Sequence, residues 1–141
     1  MFRLNLYRKE LHSTAQDTAQ DCEQDTVQDI PKEIKELKPQ KPYVFNYNTA
    51  VKEAREEIAR GYCPPLMEEG NNDIDAEVVF IGSPNWLATF APPVLTFLRS
   101  ADLQGKTIIP FCTHGGGGFG RMMEDYRKEC QGSTVKEGIA L

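Results

Sequence analysis

Two loops in the second half of the chain carry residue types that could bind a flat ring ligand. The tryptophan loop contains Ser83, Pro84, Asn85 and Trp86, and the glycine loop contains Cys112, Thr113, His114, Gly115, Gly116, Gly117, Gly118 and Phe119. Trp86 is the only tryptophan of the sequence and can supply an aromatic wall, while four consecutive glycines let backbone N–H groups approach a ligand closely. The combination indicates a ligand site in which backbone can approach a planar molecule closely.

Each loop follows an apolar run and precedes a helical pattern. The runs are residues 78–81 and 107–112, and helices are predicted from Pro92-Pro93 and from about Phe119. Continuous apolar runs that alternate with helices are typical of parallel strands buried on both faces, and ligands bind at the carboxyl ends of such strands. Both loops are therefore expected at one edge of the same sheet.

The other elements are predicted from patterning. Residues 2–7 alternate apolar and polar side chains, as do residues 34–38, and each stretch predicts a short strand. A helix is expected over residues 49–60, stopping at Gly61, and residues 134–141 are expected to form the last strand. Helical spacing predicts core positions at Val94, Leu95, Phe97, Leu98, Met122, Met123, Tyr126 and Cys130.

Three segments carry a specific resemblance to a known family. They are residues 81–86 (IGSPNW), 105–116 (GKTIIPFCTHGG) and 118–121 (GFGR). From about Ile34 to Leu141 the chain resembles short-chain flavodoxins and flavodoxin-like FMN proteins. The resemblance implies a single domain over residues 1–141 with an α/β, flavodoxin-like open parallel sheet, strand order 2-1-3-4-5, and helices on both faces.

The resemblance also implies a cofactor and an activity. It implies that the residues of the tryptophan and glycine loops named above bind the isoalloxazine ring of FMN noncovalently. The expected function is that of an electron-transfer protein or a small flavin oxidoreductase, in which the flavin carries the redox chemistry. Its partner would be a redox protein or a small electron acceptor such as a quinone.

The first 33 residues depart from the family pattern. The loop after the first strand, which in the family wraps the FMN phosphate, would be residues 8–14 here, and it contains no glycine. Ser13 and Thr14 could bind the phosphate through their hydroxyls or could simply cap a helix. From Thr14 to Asp29 a tetrapeptide ending in Gln-Asp recurs four times, which fits either a weak surface helix or low-complexity coil.

Several residues in and near the two loops could have roles other than cofactor binding. Trp86 could be half-buried against Phe90 or the following helix, and His114 could be structural rather than a cofactor contact. Cys112 and His114 could form a nucleophilic pair, although neighbouring strand residues face opposite ways and no orienting group is evident. Arg121 could lie near the cofactor or pair with an acidic residue, either Glu124 or Asp125.

A second motif competes for the glycine loop. Residues 115–120 satisfy G-x-G-x-x-G, the dinucleotide-binding pattern of Rossmann domains. That pattern belongs to the first strand–helix unit and needs an acidic residue about 20 positions on. Here the loop falls late, and that distance leads to Leu141. The Rossmann alternative is therefore disfavoured.

Composition limits the possible partners. The net charge of −5 opposes binding to nucleic acid or an anionic membrane. The start of the chain is too polar for a signal peptide, so a cytoplasmic location is expected. The four cysteines contain no C-x-x-C pair, which favours reduced thiols over disulfides or a metal site.

The end of the pattern raises an alternative function. No helix is predicted after the last strand, where flavodoxins normally have one that covers a face of the sheet. The apolar surface is then expected to be exposed, covered by the N-terminal segment, or buried in a homodimer. Together with the unusual first loop, this leaves open a degenerate flavodoxin-like module that lacks the cofactor and has a structural or interaction role.

Overall fold

The computed structural model describes residues 3–7, 33–67 and 74–141, with side chains described from Lys35 onward. Ser13, Thr14 and the tetrapeptide repeat lie outside the described residues. The elements are β1 (Arg3–Tyr7), β2 (Glu33–Glu36), α1 (Tyr47–Arg60), β3 (Val78–Pro84), α2 (Pro92–Ser100), β4 (Thr107–Thr113), α3 (Met122–Glu129), β5 (Thr134–Val135) and β6 (Ile139–Ala140). Among the helices of these ranges, none has the length and apolar character needed to cross a membrane.

The sheet confirms the predicted α/β class and strand order. The strands lie in the order β2-β1-β3-β4-β5, and β6 also pairs with β4. β3, β4, β5 and β6 run parallel where they pair, as expected, but β1 is antiparallel to both β2 and β3. The expectation of a fully parallel sheet is thus corrected at β1. The alternating sequence of β1 is typical of antiparallel ladders, whereas the continuous apolar runs of β3 and β4 are typical of parallel ones.

The hydrophobic core lies on one face of the sheet. Val79 and Ile81 of β3 are fully buried, as are Ile108 and Cys112 of β4, while the side chains between them along each strand are mostly half-buried. α1 contacts α2 and α2 contacts α3, because right-handed crossovers place successive helices on one face. The described helices therefore do not show the helices on both faces that the resemblance implies. The predicted helical core positions are buried except for Leu95 and Met123, which are half-buried.

The helix ends follow local signals. The side chain of Asn46 accepts a hydrogen bond from the backbone N–H of Thr49 (3.2 Å), so α1 begins at Tyr47, two residues before the predicted start. It ends, as predicted, before Gly61, whose φ of 61° is left-handed. α3 begins three residues after the predicted Phe119, because the positive φ of Gly120 keeps the backbone out of the helical conformation.

The predicted last strand, residues 134–141, is interrupted at the point that lies opposite Pro110 of β4. β4 advances four residues from Thr107 to Phe111, while the chain paired with it advances five, from Thr134 to Ile139. The carbonyls of Ile108 and Cys112 accept hydrogen bonds from this chain, so the missing N–H of Pro110 faces the same side. The ladder cannot continue there, and a one-residue bulge separates β5 from β6.

Gly82 of β3 provides a test of side-chain packing on the face of the sheet opposite the core. Gly82 pairs with Phe111 in the register, and a Cβ added to Gly82 would overlap the Phe111 ring. We expect Gly82→Ala to lower the free energy of unfolding by about 1–3 kcal/mol through overpacking, measured by urea denaturation. In a Phe111→Leu background the same substitution should cost much less. An equal cost in both backgrounds would show that the ring does not impose the glycine.

Candidate functional site

The tryptophan and glycine loops lie side by side at the carboxyl ends of β3 and β4. Pro84 pairs with Thr113 in the parallel register, and the backbone N–H of Asn85 then donates to the Thr113 carbonyl (2.8 Å). The two loops therefore leave the sheet at the same level. This is the arrangement that the sequence pattern predicts.

The side chain of Asn85 joins the two loops. Its Nδ2 donates to the carbonyl of Gly118 (2.6 Å), and its Oδ1 accepts from the backbone N–H of Ala88 (2.9 Å). The Cys112 thiol also donates to the Gly118 carbonyl (3.7 Å). One amide thus fixes both the hairpin that carries Trp86 and the end of the four-glycine run.

Trp86 stands at the start of a tight and strained hairpin. Trp86 and Thr89 exchange two backbone hydrogen bonds of 2.8 and 3.1 Å around Leu87 and Ala88. Both central residues have positive φ, 53° and 71°, the pattern of a type I′ turn that normally requires Gly or Asn. Such strain, of order 1 kcal/mol per residue, persists only where surrounding contacts hold it, and it is concentrated at functional sites.

Contacts with α3 hold the hairpin in place. The backbone N–H of Arg121 donates to the Ala88 carbonyl (2.8 Å), and the Thr89 hydroxyl donates to Asp125. Arg121 forms an ion pair with Asp125 (3.3 Å), which confirms one of the two roles predicted for Arg121. Gly120 must be small here, since an added Cβ would lie 2.6 Å from the Ala88 carbonyl oxygen.

The aromatic neighbour of Trp86 is Tyr43, a residue that the sequence analysis did not select. The two rings form a T-shaped contact with centroids 4.9 Å apart and planes 80° from parallel. Trp86 is half-buried and packs against the core, as one reading of the sequence expected, but Phe90 instead pairs with Tyr126. Tyr43 lies outside every regular element and far from Trp86 in sequence, so no local pattern indicated the contact.

The glycine loop is open on its outer side. Gly115, Gly116 and Gly117 are exposed, as is Thr113. A Cβ added to Gly115, Gly116 or Gly118 would meet no atom within 4 Å among the described residues. Gly116 and Gly118 have positive φ (123° and 58°), which accounts for glycine at these two positions. Neither φ nor packing accounts for glycine at 115.

His114 and Cys112 do not form a nucleophilic pair. The Nδ1 of His114 accepts a hydrogen bond from the backbone N–H of Gly116 (2.9 Å), so the imidazole serves its own loop. Cys112 is fully buried, and burial raises the pKa of its thiol, which keeps it protonated. In the described part of the chain, Cys63, Cys112 and Cys130 are free thiols and no cluster of potential metal ligands occurs.

The predicted site residues fall into two groups. The Ser83 side chain is buried, donates to the Pro84 carbonyl (2.8 Å) and accepts from Ala91 N–H (2.9 Å), so it serves the start of α2. Ser83 and Cys112 are thus held within the protein, and any cofactor contact through their side chains remains a prediction. Trp86, Thr113, His114 and the glycines are at least partly accessible, while Phe119 packs against the core.

Comparisons with known proteins agree with this architecture. A family model described as flavodoxin matches residues 11–141, whereas no curated protein matches the sequence. A crystal structure of a candidate flavoprotein from Bacteroides eggerthii is 28% identical, with a TM-score of 0.67, and the match covers 74% of this chain and 69% of that one.

Two further crystal structures are similar in fold alone. A candidate flavoprotein from Bacteroides uniformis is 23% identical with a TM-score of 0.67, and the match covers 74% of this chain and 70% of that one. A flavoprotein in complex with FMN from Lactobacillus acidophilus NCFM is 17% identical with a TM-score of 0.62, and the coverage is 74% and 71%.

The linking role of Asn85 can be tested by substitution. We expect Asn85→Ala to lower the free energy of unfolding by about 1–3 kcal/mol, because the N–H of Ala88 and the carbonyl of Gly118 lose a partner. Amide hydrogen exchange in the glycine loop should accelerate. Asn46→Ala, which removes the cap of α1, is the control: it should cost about 1 kcal/mol without accelerating exchange in that loop. Unchanged loop exchange in the Asn85 variant would contradict the linking role.

Proposed function

The chain belongs to the flavodoxin family, and from this premise we propose that it binds FMN noncovalently between the tryptophan and glycine loops. It would act as an electron-transfer protein or as a small flavin oxidoreductase. FMN is the cofactor found with one protein of similar fold. When bound, the isoalloxazine ring supplies the redox chemistry, and the protein supplies binding and orientation.

The observation that carries the proposal is the open backbone of the glycine loop beside the hairpin that carries Trp86. Among the described residues nothing occupies the space of a Cβ at Gly115, and its φ is not positive, yet glycine occupies that position. A ligand that approaches the backbone closely gives a reason for the missing side chain. Asn85 holds this backbone next to the hairpin of Trp86. The residues present therefore fit the ring part of FMN.

Each accessible group has a proposed part in holding the ring. The Trp86 indole would stack on the ring, and backbone N–H groups of Gly115, Gly117 and Gly118 would donate to its polar edge. The exposed Thr113 and half-buried His114 would border the ring. Because the His114 Nδ1 already accepts a hydrogen bond from Gly116, its Nε2 is the atom left to face a ligand. No acid–base role is assigned to these groups.

We propose partners from the net charge of the protein and from its exposed apolar side chains. A net charge of −5 favours transient docking to a basic redox protein in a soluble compartment such as the cytoplasm. A small acceptor such as a quinone is the alternative partner. A homodimer would also cover apolar surface, and large side chains such as Phe45 and Tyr47 are highly exposed.

One observation favours the second candidate, a cofactor-free interaction module. β1 is antiparallel to β3, so its carboxyl end at Tyr7 lies opposite Val78, at the far edge of the sheet from Pro84. A phosphate loop that followed a parallel β1 would instead begin beside the tryptophan loop, at the carboxyl end of β3. Ser13 and Thr14, outside the described residues, thus follow a strand that ends away from the proposed ring site.

Titration with FMN tests the proposed function. Purified protein should bind FMN, become yellow and lose Trp86 fluorescence as the indole stacks on the ring. We expect Trp86→Ala to weaken binding by roughly 1–3 kcal/mol, or about 5- to 150-fold, measured by flavin fluorescence. Tyr47→Ala, which removes an exposed aromatic ring from α1, should leave affinity unchanged. A colourless protein that ignores added FMN would favour the interaction module.

Comparison of FMN with riboflavin tests Ser13 and Thr14. If their hydroxyls bind the phosphate, the Ser13→Ala/Thr14→Ala variant should weaken FMN by about tenfold or more and leave riboflavin nearly unchanged, since charge-assisted hydrogen bonds contribute about 1.5–3 kcal/mol. Isothermal titration with FMN, riboflavin and FAD provides the measurement. Equal effects on FMN and riboflavin would exclude the phosphate role and leave helix capping.

A further inference from the structure

Tyr43 contacts both the tryptophan loop and α1. Its ring meets Trp86 edge to face at 4.9 Å, and its hydroxyl donates a hydrogen bond to Oε2 of Glu57 (2.7 Å). Tyr43 is half-buried and packs against the core, whereas its neighbours Val44 and Phe45 are exposed. The contact therefore connects a carboxylate on α1 to the proposed ring wall.

The indole of Trp86 needs a restraint beyond its backbone. The hairpin hydrogen bonds with Thr89 fix the main chain of Trp86, but its two side-chain torsions set the plane of the indole. Stacking on a flat ring requires a defined plane, and a wall that rotates freely would lose conformational entropy on binding. The edge-to-face contact with Tyr43 supplies such a restraint.

The hydrogen bond to Glu57 in turn restrains Tyr43. Burial and the Glu57 carboxylate, with a smaller contribution from Glu53, raise the pKa of the Tyr43 phenol. The phenol is then a neutral donor throughout the physiological range. A charge-assisted bond of 2.7 Å to a half-buried carboxylate has a preferred geometry, so the ring of Tyr43 has a preferred position.

The position of Glu57 is unfavourable for α1 itself. Glu57 lies in the last turn of the helix, where a carboxylate opposes the helix dipole and a basic residue such as Arg60 is favoured. The helix dipole thus gives no reason for a carboxylate here. The hydrogen bond from Tyr43 does give one.

From these contacts we propose that Tyr43 and Glu57 are positioning residues that fix the indole plane of Trp86 for stacking against the cofactor ring. The inference rests on the proposed function for its ligand. It adds α1, which contributes no residue to either loop, to the determinants of cofactor affinity.

The first experiment uses the cofactor-free protein, in which Trp86 is the only tryptophan. Near-ultraviolet circular dichroism and acrylamide quenching report the order and accessibility of the indole directly. We expect Tyr43→Phe and Glu57→Ala to weaken the dichroic band and increase quenching. Glu57→Gln, which retains a hydrogen-bond acceptor, should restore both signals. Glu56→Ala, an exposed glutamate beside Glu57, is the matched control and should change neither.

The second experiment measures FMN affinity in the same variants. Tyr43→Phe and Glu57→Ala should each weaken the binding of FMN and riboflavin by about two- to tenfold. The double variant should bind no more weakly than either single variant, because both substitutions remove the same hydrogen bond. Glu57→Gln should stay close to wild type. Urea unfolding of each variant separates these effects from loss of the folded state.

The outcomes separate the two proposals. Wild-type apo signals and unchanged affinity in Tyr43→Phe and Glu57→Ala would overturn the positioning role, as would additive losses in the double variant. If wild-type protein ignores FMN, the proposed function fails. The dichroic and quenching signals of the apo variants then still decide whether Tyr43 and Glu57 order Trp86.

Discussion

The parallel register between β3 and β4 is the constraint on which the proposed site depends. It sets Pro84 against Thr113, so the two strands end together and the loops that follow start in contact. Asn85 can then reach the Gly118 carbonyl with one amide group while it also accepts from Ala88. A shift of one residue in this register would turn the side chains of a strand to the opposite face and separate these partners.

The predictable parts of this structure are those encoded locally. Apolar runs and helical spacing located β3, β4, α2 and the buried face of α3, and the strand order followed from the family resemblance. The direction of β1 was predicted wrongly, because the family resemblance implied a parallel strand, although the alternating sequence of β1 is typical of antiparallel ladders. Tyr43 was missed since its contact with Trp86 joins distant parts of the chain. Ser83 was predicted as a site residue because it lies near the end of β3, but its hydroxyl accepts a hydrogen bond from the backbone N–H of Ala91 at the start of α2.

The proposed site combines the open glycine loop with the strained hairpin of Trp86. Among the described residues the glycine loop has open space where side chains would lie, and it forms hydrogen bonds with Asn85, Cys112 and His114. The Trp86 hairpin instead places Leu87 and Ala88 in left-handed conformations that α3 helps to hold. Rigid support on one side and open backbone on the other would suit the flat ligand proposed above, whose faces and edge need different contacts.

The interruption at Pro110 has a consequence for self-association. A regular edge strand presents an unbroken row of hydrogen-bonding groups, onto which a strand of another molecule can add. In this sheet the chain beside β4 is divided into two-residue pieces by a bulge at Gly138, where a Cβ would lie 2.7 Å from the Pro110 carbonyl oxygen. That border, as far as the described residues form it, offers a poor template for continuous strand pairing between molecules.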